Sequence, residues 1–143
     1  GGDAVDASLL AGVDVLVVDD DEDARLLLQM TLSGYGGVDT TAAPAREALA
    51  AIDRSVPHVL LSDIGMPHED GYDLLRWLRA GAAEDGGTIP AIAVTAYASA
   101  ADRSSTQAAG YQAHVAKPFE PGDVARLVRR LVASNNFQVT SHK

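Results

Sequence analysis

Short apolar runs alternate along this chain with longer stretches in which apolar positions recur every three or four residues. Residues 14–18 (Asp-Val-Leu-Val-Val) have the length and β-branched content of a buried strand. In residues 23–33 the positions Ala24, Leu27, Leu28, Thr31 and Leu32 share one helical face, and Gly34, Gly36 and Gly37 stop that helix. Val38–Thr41 reads as a weak edge strand, and Pro44 opens a helix reaching about Arg54, since proline is favoured in a first turn. A second strongly apolar strand spans 58–62. The loop Gly65-Met66-Pro67 and the turn Glu69-Asp70-Gly71 follow it, then a helix carrying Leu74, Leu75, Trp77 and Leu78. Residues 81–88 read as a solvated loop, 90–95 as a strand, 99–109 as an Ala-rich helix, 112–116 as a strand and Pro121–Ala133 as a final helix. Strands and helices in strict alternation predict parallel βαβ units with right-handed crossovers. Residues 1–12 read as linker, 13–133 as one domain and 134–143 as a flexible polar tail.

Composition narrows the picture in three ways. A chain of 143 residues has the length of one domain, and with 47% hydrophobic but only 5% aromatic residues its core must be built from Ala, Val, Leu and Ile. The absence of cysteine excludes disulfides and thiolate metal sites and suits a reducing, cytoplasmic compartment. A net charge of −9 repels nucleic acid phosphates, and no basic patch offsets it, so DNA binding by this domain is not expected. No apolar stretch approaches the length of a membrane span.

Candidate chemistry sits at the ends of the apolar runs. Asp19-Asp20-Asp21 follows Val15–Val18, Asp63 closes Val59–Ser62, Thr95 closes Ala91–Val94, and Lys117-Pro118 follows Val115-Ala116. In an open α/β sheet ligands gather beyond the carboxyl ends of the strands. Carboxylates, a hydroxyl and an ammonium collected there suit a divalent cation and a phosphoryl group. Asp63 is the residue placed to accept that group. Each residue alone has an ordinary role: Asp21 and Asp23 suit the start of a helix, a threonine ends strands by propensity, and a lysine before proline is a common loop charge. Their joint appearance at the same end of different strands is what carries the reading.

Over about residues 13–133 the chain resembles the receiver domains of two-component response regulators. The matching segments are VLVVDDD at 15–21, LLSDIGMPHEDG at 60–71, AVTAY at 93–97 and GYQAHVAKP at 110–118. The resemblance implies a doubly wound, flavodoxin-like α/β fold, (βα)5, with five parallel strands in the order 2-1-3-4-5. It implies phosphotransfer to Asp63 from the phosphohistidine of a histidine kinase or histidine phosphotransfer domain. Asp20 then corresponds to the direct Mg²⁺ ligand, Asp19 to its water-mediated neighbour and Gly65 to the backbone-carbonyl ligand, with Mn²⁺ an acceptable substitute for Mg²⁺. Thr95 and Lys117 correspond to the groups that bind phosphoryl oxygens, and Lys117-Pro118 to a bond that is cis in the family. Small Ala96 and Gly65 leave room for a donor imidazole. The isolated domain is expected to be a phosphoacceptor that catalyses its own transfer rather than an enzyme on other substrates. A homodimer through the last helix–strand–helix face is a further option the family offers. The segments SDIGMPHEDGYDLL and GYQAHVAKPFEPGDV are most similar to receivers of hybrid sensor histidine kinases, which favours an excised or C-terminal receiver over a stand-alone regulator.

Two departures stand out. The switch position three residues before the lysine is His114 instead of an aromatic Tyr or Phe. Imidazole can exchange rotamers but is smaller and titratable, and the same residue also reads as an exposed strand-edge histidine. The helix at 99–109 has almost no large apolar residue and should be loosely anchored. Gly65 and Tyr97, two residues beyond Asp63 and Thr95, carry no amide or carboxylate to align a water, so slow autodephosphorylation is expected. Haloacid-dehalogenase-type phosphatases need a second aspartate two residues after the nucleophile, where this chain has Gly65. A nucleotide-binding module would need a phosphate-cradling loop after the first strand, and none is present. The remaining alternative is a phosphorylation-independent interaction module.

Overall fold

The computed structural model describes residues 8–43, 45–64, 71–81, 87–96 and 100–141. Five strands alternate with five helices: β1 (Asp14–Val18), α1 (Glu22–Gly34), β2 (Val38–Ala42), α2 (Ala45–Arg54), β3 (Val59–Asp63), α3 (Gly71–Arg79), β4 (Ala91–Thr95), α4 (Ala100–Ala109), β5 (Ala113–Ala116) and α5 (Pro121–Ser141). All strand pairs are parallel, in the order β2-β1-β3-β4-β5. The expected doubly wound, flavodoxin-like architecture is the one observed.

Strand periodicity divides the core between the two faces of the sheet. Leu16, Val18, Leu60, Ala91 and Ala93 meet Ala48, Ala51 and Ile52 of α2 and Leu74, Leu75 and Leu78 of α3. Val15, Val17, Val59, Leu61, Ile92 and Val94 point the other way, against Leu28 and Leu32 of α1 and Val124, Ala125, Val128 and Val132 of α5. Removing both faces from water is the main stabilising term, at roughly 25 cal/mol per Å² of apolar area.

Several details differ from the sequence expectation. Leu27, read as sharing the apolar face of α1, is 54% exposed, and Trp77 of α3 is 48% exposed; the buried stripes are filled by Leu28, Thr31 and Leu32 in α1 and by Leu74, Leu75 and Leu78 in α3. Helix α5 continues to Ser141, past Ala133 where the sequence pattern ends the helix; residues 134–141 contain neither glycine nor proline to stop it. Helix α4 buries Thr106 and no large apolar side chain, as its composition implied.

What holds the end of α4 comes from outside it. Arg79, the last residue of α3, donates to the Gly110 carbonyl from Nε and Nη2 (3.1 and 2.8 Å), to the Gly87 carbonyl and to Gln112 Oε1. Gln112 Oε1 also accepts from the Ala91 N–H at 2.7 Å, which ties this cluster to the start of β4. Gly110 lies at φ +114°, and a Cβ there would come within 2.8 Å of Arg79 Cγ. Only glycine suits both demands. Burial lowers the pKa of the Arg79 guanidinium, with Tyr111 acting in the opposite sense.

Candidate functional site

Register alone brings the site together. Val18 pairs with Ser62, Asp63 with Val94 and Thr95 with Ala116. Asp19, Asp63, Thr95 and Lys117 therefore leave four adjacent strands at nearly one level of the carboxyl edge. The Lys117 N–H donates to the Thr95 carbonyl at 2.8 Å, carrying the ladder one step beyond β5, and the Lys117-Pro118 bond is cis.

Asp19, Asp20 and Asp63 form the acidic heart of this edge. Each offers a carboxylate oxygen within 4.8 Å of the others'. Asp19 is wholly buried, Asp63 half-buried and Asp20 exposed. Asp19 Oδ1 accepts from the Asp21 N–H at 2.9 Å, and the Asp19 carbonyl accepts from Arg25 Nη1 at 2.8 Å. Its Oδ2 is buried with no hydrogen-bond partner, and Lys117 Nζ stands 3.8 Å away. Burial holds the Asp19 carboxyl above the usual carboxylate range; the charges of Asp63 and Asp20 push the same way, and the Asp21 N–H and Lys117 offset part of the rise. A buried carboxylate oxygen without a donor, among converging carboxylates, is the environment a hard divalent cation relieves. The donor set fits such an ion.

The neighbouring acids take the helix-start role. Asp21 is the N-cap of α1, its side chain accepting from the Asp23 N–H at 3.1 Å, and Glu22 and Asp23 occupy the first turn. His58 is structural: its Nδ1 accepts from the Asp14 N–H at 2.9 Å. Thr95 is buried at the end of β4, and Ala96 beside it is exposed. Gly65 and Tyr97 lie outside the described residues.

His114 is neither a fully exposed edge residue nor a bonded one. It is half-buried, and both ring nitrogens are shielded from solvent without hydrogen-bond partners. Its neighbours Ala113 and Val115 pack on the α1–α5 side, and it pairs with Ala93 of the opposite core, so its side chain belongs to the α3–α4 side.

Three contributors carried no sequence signal. Arg25 steadies Asp19 from the first turns of α1. Ser62, buried, donates to the carbonyl of Asp63 at 3.2 Å. Tyr111 donates from its hydroxyl to the carbonyl of Gly71 at 2.8 Å, across 40 residues. Separations of that size leave no periodicity to read.

Comparison with known proteins agrees with this geometry. Residues 15–129 match the family model described as response regulator receiver domain. An uncharacterized 14.6 kDa protein of Leptolyngbya boryana is 42% identical over 121 residues, covering 85% of this chain and 91% of that protein. Response regulator Rre1 of Synechocystis is 34% identical over 122 residues but is only 52% covered, and the transcriptional regulator NtrC of Salmonella typhimurium, 35% identical, only 24%. The chain thus spans about half or less of these longer regulators. Among solved structures, the receiver domain of a sensor histidine kinase from Pseudomonas aeruginosa, with a magnesium ion coordinated in its active site cleft, superposes with a TM-score of 0.78. It is 31% identical over 86% of this chain and 99% of that one. A response regulator from Chloroflexus aurantiacus gives a TM-score of 0.79 at 31% identity, with 85% and 98% covered. The matched segment holds every described residue of the acidic edge, and the chain belongs to the response regulator receiver domain family.

Proposed function

We propose that this domain accepts a phosphoryl group on Asp63 from the phosphohistidine of a histidine kinase or histidine phosphotransfer domain, in a reaction that depends on Mg²⁺. The observation that carries the reading is the convergence of three carboxylates, one of them the buried Asp19, whose Oδ2 has no hydrogen-bond donor. Asp20 and Asp63 would hold the ion directly and Asp19 through water, with Mn²⁺ an acceptable replacement; the matching Gly65 carbonyl would complete the protein ligands. The ion supplies charge neutralisation for the phosphoryl oxygens.

Phosphoryl transfer asks for in-line placement and stabilised equatorial oxygens more than for an acid or base. An oxygen of Asp63 forms the new O–P bond as the N–P bond to the donor imidazole breaks, and the imidazole leaves with the electron pair. Lys117, pivoting from its position beside Asp19, provides an ammonium for one phosphoryl oxygen, and the Thr95 hydroxyl provides a neutral donor for another. Gly65 and Tyr97 supply no side chain that aligns a hydrolytic water, which suits a long-lived aspartyl phosphate and a sustained signal or relay.

Incubation with phosphoramidate and Mg²⁺ followed by intact-mass measurement tests this. The native protein should gain the mass of one phosphoryl group, and Asp63→Asn should gain none while keeping its circular dichroism spectrum. Equal labelling of the variant would remove Asp63 from the role. No labelling of the native protein with any small phosphoryl donor would favour a module that binds partners without being phosphorylated.

A further inference from the structure

Beneath the acidic edge, on the side covered by α3, lies a run of close contacts, with a hydrogen bond at each end, that leads to Asp63. Tyr111, 3% exposed, donates from its hydroxyl to the carbonyl of Gly71, the first residue of α3, in a buried bond of 2.8 Å. Gly71 is tightly enclosed. A Cβ built on it would lie 2.6 Å from the Tyr111 hydroxyl, 3.0 Å from the Asp63 carbonyl oxygen and 3.0 Å from Ser62 Oγ. Ser62 Oγ in turn donates to the Asp63 carbonyl. Tyr111, Gly71, Ser62 and Asp63 thus make one continuous stack, and any shift at its base reaches the backbone that carries the acceptor.

The base of the stack is fixed by Arg79 and by the backbone at the end of α4, without large apolar side chains from that helix. Tyr111 follows Gly110, whose carbonyl is gripped twice by Arg79, and the Tyr111 N–H donates to the Thr106 carbonyl at 3.0 Å. The small side chains of Ala91 and Ala93 on β4 share the core cluster with the tyrosine ring. A hydroxyl held from a rigid corner acts on the start of α3, and α3 in turn rests on Asp63.

We propose that the Tyr111 hydroxyl is a positioning group for phosphoryl transfer at Asp63: it seats Gly71 against the Asp63 backbone and so sets the place of the acceptor carboxylate relative to Asp19 and Asp20. This rests on Asp63 being the acceptor. In-line transfer is sensitive to small displacements of the nucleophile. Asp63 also belongs to the metal cluster, so the test is run at saturating Mg²⁺, where a change in metal affinity does not limit the rate.

Tyr111→Phe removes one oxygen and keeps the ring that fills the core. The rate of labelling by phosphoramidate is measured against donor concentration at saturating Mg²⁺ and normalised to the folded fraction from circular dichroism. The maximal rate constant is expected to fall about five- to tenfold, with the half-saturating donor concentration unchanged. A purely structural tyrosine would lower the melting temperature and leave that constant where it was. An unchanged maximal rate constant, or a fall accounted for by lost folded protein, overturns the proposal. Asp63→Asn is run alongside: if it is labelled as the native protein is, the acceptor assignment fails, and the result is separate from the behaviour of Tyr111→Phe.

Discussion

Asp19→Asn is expected to stabilise the metal-free protein and to remove most of the stability that a divalent cation adds. Asp19 is fully buried and its Oδ2 has no donor. At an effective dielectric of about 20, a unit charge within 4.8 Å repels by at least about 3.5 kcal/mol, a figure that applies to Asp63 and, before solvent screening, to exposed Asp20, whereas the Lys117 pair at 3.8 Å attracts by about 4.4 kcal/mol. Solvent reaches Lys117, whose side chain is 30% exposed, and screening trims that attraction. Two carboxylates repel and one ammonium attracts, so the repulsion at least offsets the attraction, and the cost of burying the charge remains. Removing it should contribute about 1–3 kcal/mol, or about 3–9 °C in melting temperature for a chain of this length. The pH dependence follows from the raised Asp19 pKa. Below the ordinary value of 3.8 the carboxyl is protonated in both folded and unfolded states and costs nothing. As pH climbs through its higher folded value the unfolded chain gives up the proton first, and the native state carries the full penalty above that point. The gap between variant and native protein should therefore be small near pH 4 and open toward pH 7. Metal reverses the order: at 100 times its Kd an ion stabilises the native protein by about 2.7 kcal/mol, and the amide variant gains less. Thermal melts in EDTA and in Mg²⁺ across this pH range measure all three effects. A variant that melts at or below the native temperature in EDTA at pH 7 would refute the assignment of Asp19 as an uncompensated buried charge.

Two other variants probe the rest of the edge. His114→Phe replaces two shielded, unpartnered nitrogens by carbon, so the melting temperature should rise by an amount corresponding to about 1–2 kcal/mol; a fall would mean that the ring nitrogens are bonded or solvated in solution. Gly65→Asn combined with Tyr97→Glu supplies side chains able to align a water, and decay of the phosphoprotein followed by intact mass should quicken at least about tenfold; decay of the native phosphoprotein within seconds, or an unchanged rate in the double variant, removes these positions from control of hydrolysis.

The fold was legible because both core faces are written into the strands. Val15 and Val17 against Leu16 and Val18, and Ile92 and Val94 against Ala91 and Ala93, show a sheet covered on both sides. The acidic edge was legible for a related reason: each functional group directly ends or follows an apolar run, so strand order alone assembled them. Helix faces were read less well. Periodicity located α1 and α3 but not how wide a stripe each buries, and Leu27 and Trp77 fell outside it. The orientation of His114 depends on which side of β5 faces α4, which a four-residue strand of intermediate exposure does not announce. Tyr111, Gly71 and Arg79 escaped because their contacts cross 31 to 40 residues and involve backbone carbonyls, which no residue type marks.

The grip of Arg79 on Gly110 has a consequence for the surface of α4. A helix ordinarily keeps its place by the apolar side chains it buries, so its outward sequence is constrained by the face beneath it. Here the end of α4 is anchored by a guanidinium on another helix and by backbone carbonyls, which remain whatever side chains α4 carries. With Thr106 buried and Ala109 packed against the core, α4 has eight positions of its ten left to vary without touching it. The helix behaves as a replaceable faceplate: its outward side chains can be rewritten while the acidic edge keeps its geometry.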